Sequence, residues 1–426
     1  MNILVTGATG LIGSAICARL TIEGHHVVRI SHRQLVASSV PTVAVDMSQA
    51  VRPQDWISHL DGIEVVVNCA GVLQDSAQES THHVHAEGVS ALFLACERAG
   101  VRKIIHFSAI GADREQPSAF SVSKIEGDKT LMTRALDWVI LRPSVVLGRP
   151  AFGASALFRG LAALPVLPLM PDTGRLQVVQ LDDVVATILF FIRRNSPSRL
   201  ALELPGPEAL SVSEIVQRYR CWLGWRRAPE FLLPGPVAGL LYRLGDLTGW
   251  LGWRPPMRTN AAREISRGAT GDPAPWMALT SITPKDLDFA FTAAPATVQE
   301  RWFAGLYFAK PAIFFVLPFF WIMTSVVSLT TGWQNGVALL VGTAAEGLAK
   351  PAVFAGAIVD ASIGMSIAWR RTSRIGLWGG IAVSLFYAAA GTILRPDLWN
   401  EPLGPFLKIL PILTLHFVAL AILEER

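Results

Sequence analysis

Residues Asn2 to Gly13 read NILVTGATGLIG: a short apolar run, a turn with glycine at 7, 10 and 13, then apolar residues at helical spacing through Glu23. Ile3 to Thr6 predicts a buried strand, the repeat from Leu11 a helix, and the pair the opening of a parallel βαβ unit. A pyrophosphate needs a tight turn, a backbone without Cβ close to it, and a helix start whose free N–H groups face the anion. The three glycines meet those needs, so Gly7, Ala8, Thr9, Gly10, Leu11, Ile12 and Gly13 are predicted to hold a dinucleotide. A plain βα turn is the alternative.

The chain that follows extends the pattern. Gly24 to Ile30 predicts a second strand ending in Ser31, His32 and Arg33. An acid at this strand end binds ribose hydroxyls, whereas a basic residue accommodates a 2′-phosphate. With Arg33 and no acid, NADP(H) is favoured over NAD(H), the alternative being a solvated surface arginine. Val43 to Val45 leads to Asp46, placed for an adenine contact. Glu64 to Asn68 is followed by Cys69, Ala70 and Gly71, small residues that let a cofactor lie against the backbone. Lys103 to Ser108 and Asp137 to Arg142 give two more strands, the second running into Pro143. Strands alternating with helices imply an α/β parallel sheet covered on both faces. His82, His83 and His85 open a helix and are read as a solvated helix end, because no further ligands at metal spacing accompany them.

TGATGLIG at Thr6 to Gly13, NCAG at Asn68 to Gly71, FSAIG at Phe107 to Gly111, SVSK at Ser121 to Lys124 and LRPSVVLG at Leu141 to Gly148 together resemble the atypical and extended short-chain dehydrogenase/reductase family. The resemblance covers about residues 1–220 and is nearest in flavour to the NADPH-holding accessory subunit of mitochondrial complex I. It implies a Rossmann-type fold. Active members carry Tyr-x-x-x-Lys, in which the lysine holds the nicotinamide ribose and lowers the tyrosine pKa, so the phenol trades a proton with the substrate. The matching stretch here begins with Phe120, and the four tyrosines of the chain, Tyr219, Tyr242, Tyr307 and Tyr387, all lie later. By resemblance, Lys124 and Ser108 remain as catalytic residues that also contact the cofactor, and Pro143 joins the cofactor-binding set. Two functions follow: an NAD(P)-dependent oxidoreductase working without the usual tyrosine on a lipid-soluble substrate, or a non-catalytic cofactor-holding structural or redox-sensing module.

Composition matters for the rest of the chain. Of 426 residues, 51% are hydrophobic and only 16% charged, against ~25% in soluble domains. The surplus lies mostly after residue 305. Pro311 to Thr331 and Ile375 to Leu394 carry no charge, Pro351 to Trp369 carries only Asp360, and Leu403 to Leu423 only Lys408 and His416. A bilayer core of ~30 Å needs ~20 apolar helical residues, so four spans are predicted. Gly336 to Ala349 reaches only ~21 Å and contains Glu346, so it is read as non-spanning. Arg301, Lys310, Arg370, Arg371, Arg374 and Arg426 fall on one side, with Lys350 and Arg395 on the other. That asymmetry places the N-terminal domain and the C-terminus on the cytoplasmic face of a bacterial inner membrane. Trp399 to Pro411, reading WNEPLGPFLKILP, with Asp360 and Gly364, resembles the DoxX-like four-helix membrane domain. An ionised Asp360 in mid-span needs a partner in the bundle interior or a proton to carry.

The expected plan is thus a Rossmann-type domain with a small substrate-side part over 1–220, an irregular amphipathic connection over 221–304, and an all-α four-helix transmembrane domain over 305–426. Within the connection, Leu240, Leu241, Leu244, Leu247 and Leu251 recur beside Trp250 and Trp253; the segment either lies in a bilayer interface or covers the substrate cleft. Asp182 or Asp183 is read as the cap of a helix running to Arg193, the alternative being a catalytic carboxylate. Met1 leads straight into the first strand, and Cys17, Cys69, Cys96 and Cys221 read as reduced core residues of a cytosolic domain. A net charge of +4 is too small and scattered for nucleic acid. The expected partners are the lipid bilayer and a lipid-soluble small molecule or a membrane protein; no metal is expected.

Overall fold

The apolar run at the amino end becomes the centre of a seven-stranded sheet. The computed structural model describes all residues except 33–40, 74, 76–79, 115–116, 254, 403 and 425–426. Its strands are β1 Asn2–Thr6, β2 His26–Ser31, β3 Val43–Ala44, β4 Val65–Asn68, β5 Lys103–Phe107, β6 Asp137–Pro143, β7 Val145–Leu147, β8 Leu167–Leu169, β9 Leu176–Gln180, β10 Leu200–Leu204, β11 Ala209–Leu210 and β12 Glu230–Leu232. The main sheet runs β10-β6-β5-β4-β1-β2-β3 and every pair in it is parallel. Strand order reverses between β1 and β4, and a ligand crevice belongs at the carboxyl ends of those strands.

Burial explains why these segments are strands. In β4 and β5 every residue is buried, as a parallel strand covered on both faces requires. Side chains alternate across the sheet: Ile3 and Val5 join one core with Ile16, Val184 and Ile188, while Leu4 joins the other with Trp56, Phe93 and Ile104. A smaller sheet, β11-β9-β7, and the pair β12-β8 surround a third core that includes Phe158, Tyr219 and Leu287.

Residues Met1–Trp250 and Pro255–Ala304 form one compact unit. The return of the chain is held by Trp276, fully buried in the first core, whose Nε1–H donates to Thr187 Oγ1 at 3.1 Å. A large apolar side chain buried this way contributes ~1.5–3 kcal/mol. The backbone N–H of Lys285 donates to the Asp183 carboxylate at 2.8 Å, with Lys285 Nζ 3.7 Å away. This corrects the expectation of a helix cap: helix Leu181–Phe191 starts after Gln180 with no side-chain cap, and buried Asp183 grips the returning segment instead. The cysteine expectation also needs correction, because Cys17 and Cys96 are buried, Cys69 is half-buried and Cys221 is exposed.

Leu251–Arg254 and Gly305–Arg426 form the second unit. Helices Ala309–Leu329, Glu346–Ala368 and Ser373–Leu394 are long and apolar enough to cross a membrane. The fourth expected span is shorter than its apolar run: helix Ile409–Ile422 has 14 residues, about 21 Å, because turns containing Pro402, Gly404 and Pro405 delay its start. Inside this unit Trp321 Nε1–H donates to His416 Nε2 at 3.0 Å, and His416 Nδ1–H donates to the Ile412 carbonyl at 2.7 Å. Tyr387 O–H donates to Asp360 Oδ1 at 3.0 Å, and Asp360 is buried.

Candidate functional site

The glycine turn that ends β1 is shaped by backbone crowding. Gly7 has φ +64°, and a Cβ on it would lie 2.8 Å from the Ala70 nitrogen and the Cys69 carbonyl. A Cβ on Gly13 would run into the Gly7 carbonyl. The turn is closed by Gly10 N–H donating to Gly7 O and tied to β2 by Ala8 N–H donating to Ile30 O, both at 3.0 Å. Helix Leu11–Ile22 then begins with Gly10 in extended conformation, with no side chain capping it and no acid in its first turn. Its first N–H groups and positive dipole end are left to an anion, so a diphosphate fits this cradle. Ala8, Leu11 and Gly13 are buried, Ile12 half-buried and Thr9 exposed. Asp46 Oδ1 accepts from Ser48 N–H at 3.0 Å and Ser48 Oγ at 2.7 Å, and faces His32 Nδ1 at 3.2 Å. Arg33 lies outside the described residues.

Beneath the cradle a buried polar chain crosses the sheet. Parallel register aligns Thr6, Asn68 and His106 on β1, β4 and β5. Thr6 Oγ1 donates to Asn68 Oδ1 at 2.5 Å and Ala70 N–H donates to the same oxygen at 3.3 Å. The Asn68 amide nitrogen therefore donates to His106 Nδ1, at 2.9 Å. This leaves the imidazole proton on Nε2, 3.5 Å from Asp128 Oδ1, and neither atom has another hydrogen-bond partner among the described residues. The second oxygen of Asp128 accepts from Ser108 Oγ at 3.0 Å and from Arg142 Nε and Nη2 at 3.2 and 3.0 Å. Arg142 also pairs with Asp113 at 2.6 Å. Burial raises the Asp128 pKa, against the pull of Arg142, Ser108 and Lys124. Burial, then the charge of Lys124, holds the His106 imidazole well below its usual range.

Lys124 precedes Asp128 by one helical turn on helix Ala119–Met132, and Phe120 precedes Lys124 by another. Lys124 is buried and its Nζ donates to the Phe107 carbonyl at 2.9 Å, beside Ser108. Burial lowers its pKa to about 8, with Asp128 and Cys69 opposing. Gly71, exposed, sits against this ammonium: a Cβ there would lie 3.3 Å from Lys124 Nζ. Pro143, buried, closes β6 and accepts from Ile110 N–H at 3.2 Å. Most of the described site residues thus gather at the carboxyl ends of the central strands.

His85 departs from its expected place at a solvated helix end. It is 1% exposed in the π-helical turn His83–Gly88, and its ring stands edge-on to Phe120 with centroids 5.5 Å apart. Val72 N–H donates to Nε2 at 3.0 Å, so the ring proton sits on Nδ1 and goes to Ser123 Oγ, also 3.0 Å away. Ser123 in turn donates to the Phe120 carbonyl at 2.9 Å. Burial, then Lys124 and His106, keep this ring neutral. His82 and His83 are exposed as expected, beside Glu87 and Glu126. Among the described residues no cluster of His, Cys, Asp or Glu could hold a metal ion.

Helix Thr259–Arg267 supplies a second unexpected contact. Ser121 donates to Glu264 Oε1 at 3.1 Å, and Arg267 donates to Ser121 Oγ at 2.6 Å and to the Gly111 carbonyl at 2.8 Å. Sequence reading missed this clamp and the chain from Asn68 to Arg142. One signal was present: Asp128 shares a helix face with Lys124 at i,i+4.

Comparison with known proteins agrees with this geometry. Residues 3–200 match the NAD dependent epimerase/dehydratase family and residues 318–417 the DoxX-like family. An uncharacterized protein of Mycobacterium tuberculosis is 30% identical over 207 residues, 47% of this chain but 22% of its own length. This chain thus spans about a fifth of the first curated relatives it matches. Ceramide reductase of Caulobacter vibrioides is 26% identical over 196 residues, covering 45% of this chain and 61% of that protein. The 40 kDa subunit of the mitochondrial NADH-ubiquinone oxidoreductase of Neurospora crassa is 24% identical over 250 residues, covering 56% and 65%. Among solved structures, WbmG of Bordetella bronchiseptica in complex with NAD has the same fold, with TM-score 0.54 and 17% identity over 72% of this chain and 95% of that one. Residues 3–200 thus form an epimerase/dehydratase-like, short-chain dehydrogenase/reductase-like Rossmann domain that binds a nicotinamide dinucleotide in its relatives, and a DoxX-like membrane domain follows it in the chain.

Proposed function

We propose that this protein is a membrane-anchored NADP(H)-dependent oxidoreductase acting on a lipid-soluble carbonyl compound. Residues 1–220 hold the nucleotide, 221–304 complete and connect, and 305–426 anchor the chain with its N-terminal domain and C-terminus on the cytoplasmic side of a bacterial inner membrane. Gly7 to Gly13 bind the diphosphate, Asp46, Ala70 and Gly71 the adenosine side, Arg33 the 2′-phosphate, and Lys124 the nicotinamide ribose, with Pro143 lining the same cleft. When bound, the nicotinamide dinucleotide supplies the hydride. The proton must come from this chain, and Phe120 has none to give. Ser108 Oγ–H takes that role, its hydroxyl held in place by the Asp128 carboxylate and its proton restored from water.

The observation that carries this reading is the Ser108–Asp128 pair, buried beside Lys124 at the strand ends that bear the glycine cradle. The membrane tether supports a lipid-soluble substrate by raising its local concentration, and a ceramide reductase is among the relatives. Phe120 itself favours a second reading, a cofactor-holding structural or redox-sensing module. The test is NADPH oxidation by the full-length protein in lipid vesicles against long-chain ketones and quinones. Turnover of bound NADPH that drops ~100-fold in Ser108→Ala at saturating nucleotide, and little in Phe120→Tyr, supports the enzyme. Tight NADPH retention with no oxidation by any acceptor leaves only the module.

A further inference from the structure

Helix Gly235–Trp250 has two unlike faces. Ala238, Gly245 and Gly249 are buried, while Val237, Leu240, Leu241, Leu244, Leu247 and Trp250 are between 36% and 68% exposed. At about 100° per residue the five aliphatic positions fall within roughly 120° of one another, a continuous apolar stripe.

The buried face is fixed. Asp246 accepts from Arg258 Nε at 3.1 Å and from the Thr259 backbone at 3.4 Å, and pairs with the Thr259 hydroxyl. Arg258 and Asn260 donate to the carbonyls of Asp75 and Leu73, both at 2.9 Å. Thr259 begins the helix whose Glu264 and Arg267 hold Ser121, next to Phe120. A cavity of about 230 Å³, lined by Ala119, Asp75, Asp246, Arg258 and Arg263 among others, opens along this line. The apolar helix is therefore mechanically joined to the mouth of the candidate site.

What covers the outer stripe follows from where the chain goes next. Trp250 is followed by Leu251, whose carbonyl accepts from Arg370 N–H at 3.2 Å in the turn between spans Glu346–Ala368 and Ser373–Leu394. Trp253 Nε1–H donates to the Ala368 carbonyl at 2.9 Å, and the Arg370 guanidinium lies 5.5 Å over the Trp253 ring. Arg371 stands in the same turn and Arg374 in the first turn of the helix that follows. Tryptophan and arginine at a span end mark the headgroup layer. One peptide bond thus separates the striped helix from that layer.

We propose that helix Gly235–Trp250 lies in the interfacial layer of the bilayer, its Leu240, Leu244 and Leu247 in the acyl boundary. The occupant of the stripe is lipid, and the lipid surface steadies the mouth of the cleft through Asp246, Arg258 and Thr259.

The test uses the full chain with Cys221→Ser, reconstituted in phosphatidylcholine–phosphatidylglycerol vesicles. Nitroxide labels go on Leu244→Cys or Leu247→Cys, with Phe315→Cys as a span reference and Asp182→Cys as a water reference. Collision with oxygen against a water-soluble nickel chelate should place labels 244 and 247 at ~5–10 Å depth, between the two references. Nickel access equal to that at 182 overturns the proposal, as does shielding from both reagents, which would mean that protein covers the stripe. Should the labelled variants fail to fold, brominated lipid should quench less emission in Trp250→Phe than in the parent protein; equal quenching also overturns it. None of these readouts depends on turnover or nucleotide.

Discussion

The two units bury polar side chains in opposite ways. In the Rossmann unit, Asp128 shares a site with Ser108, Arg142 and His106, and its charge meets a fixed guanidinium. In the helical unit, two buried contacts each join one pair of side chains: Tyr387 with Asp360, and Trp321 with His416. The difference follows from the surroundings each unit must satisfy. The carboxyl ends of parallel strands can gather several polar and charged groups around one buried carboxylate, whereas a helix in lipid hides each polar group with whatever the next helix offers. The first arrangement concentrates charge around one carboxylate; the second tucks polar groups into the packing.

The largest expected effect is at Asp128. Asp128→Asn should destabilise the full-length protein by ~3–5 kcal/mol, because Arg142 loses its most buried counter-charge, and Asp128→Asn with Arg142→Met should recover much of that loss. Denaturant unfolding followed by near-ultraviolet circular dichroism measures both. If the double variant is no better than the single one, the charge compensation claimed for this unit is absent.

Gly13→Val should weaken nucleotide binding at least ~100-fold, equal to about 3 kcal/mol, since its side chain would displace the Gly7 carbonyl from the cradle. Equilibrium titration of NADPH fluorescence decides this, and an unchanged affinity removes the glycine turn from the site. The same titration with NADH tests Arg33: Arg33→Ala should narrow the preference for NADPH by roughly tenfold.

Lys124 gives a pH signature. Burial holds its folded pKa at about 8, below the ordinary lysine value of 10.5, so folding favours the neutral amine. That contribution is present above pH 10.5, is lost as pH falls through about 8, and amounts to roughly 3 kcal/mol across that window. Wild-type protein should therefore gain stability relative to Lys124→Met between pH 8 and 10.5. Parallel curves would show that the ammonium is not buried.

The smallest effect sharpens the comparison from the other side. Tyr387→Phe removes the hydrogen bond to Asp360 and should cost about 0.6 kcal/mol, no more than ~1.7, because polar pairs inside membrane bundles are individually weak. A loss as large as that of Asp128→Asn would erase the distinction between the units.

Legibility differed in the same way. Gly7, Gly10 and Gly13 announce their turn because a diphosphate cradle is a local object, made within twelve residues. The apolar runs after residue 305 likewise announce long helices, although Pro402 and Pro405 shortened the last one. His85 was misplaced because the sequence marks only a histidine-rich helix start; a π-helical turn and the approach of Val72 and Ser123 bury it. Asp183 looked like a cap until the return of Lys285, about a hundred residues later, claimed its carboxylate.

Sequence by itself determined the elements that neighbours in the chain build together: the central strand, the phosphate turn, the missing phenol at 120 and the apolar spans. Only the tertiary structure decided which polar groups share a site. Asn68, His106, Asp128 and Arg142 lie on separate strands and a helix, and parallel register brings the first two into line while the helix delivers the third. Hydrogen bonding between groups so far apart depends on how layers stack, a quantity that local propensity does not encode.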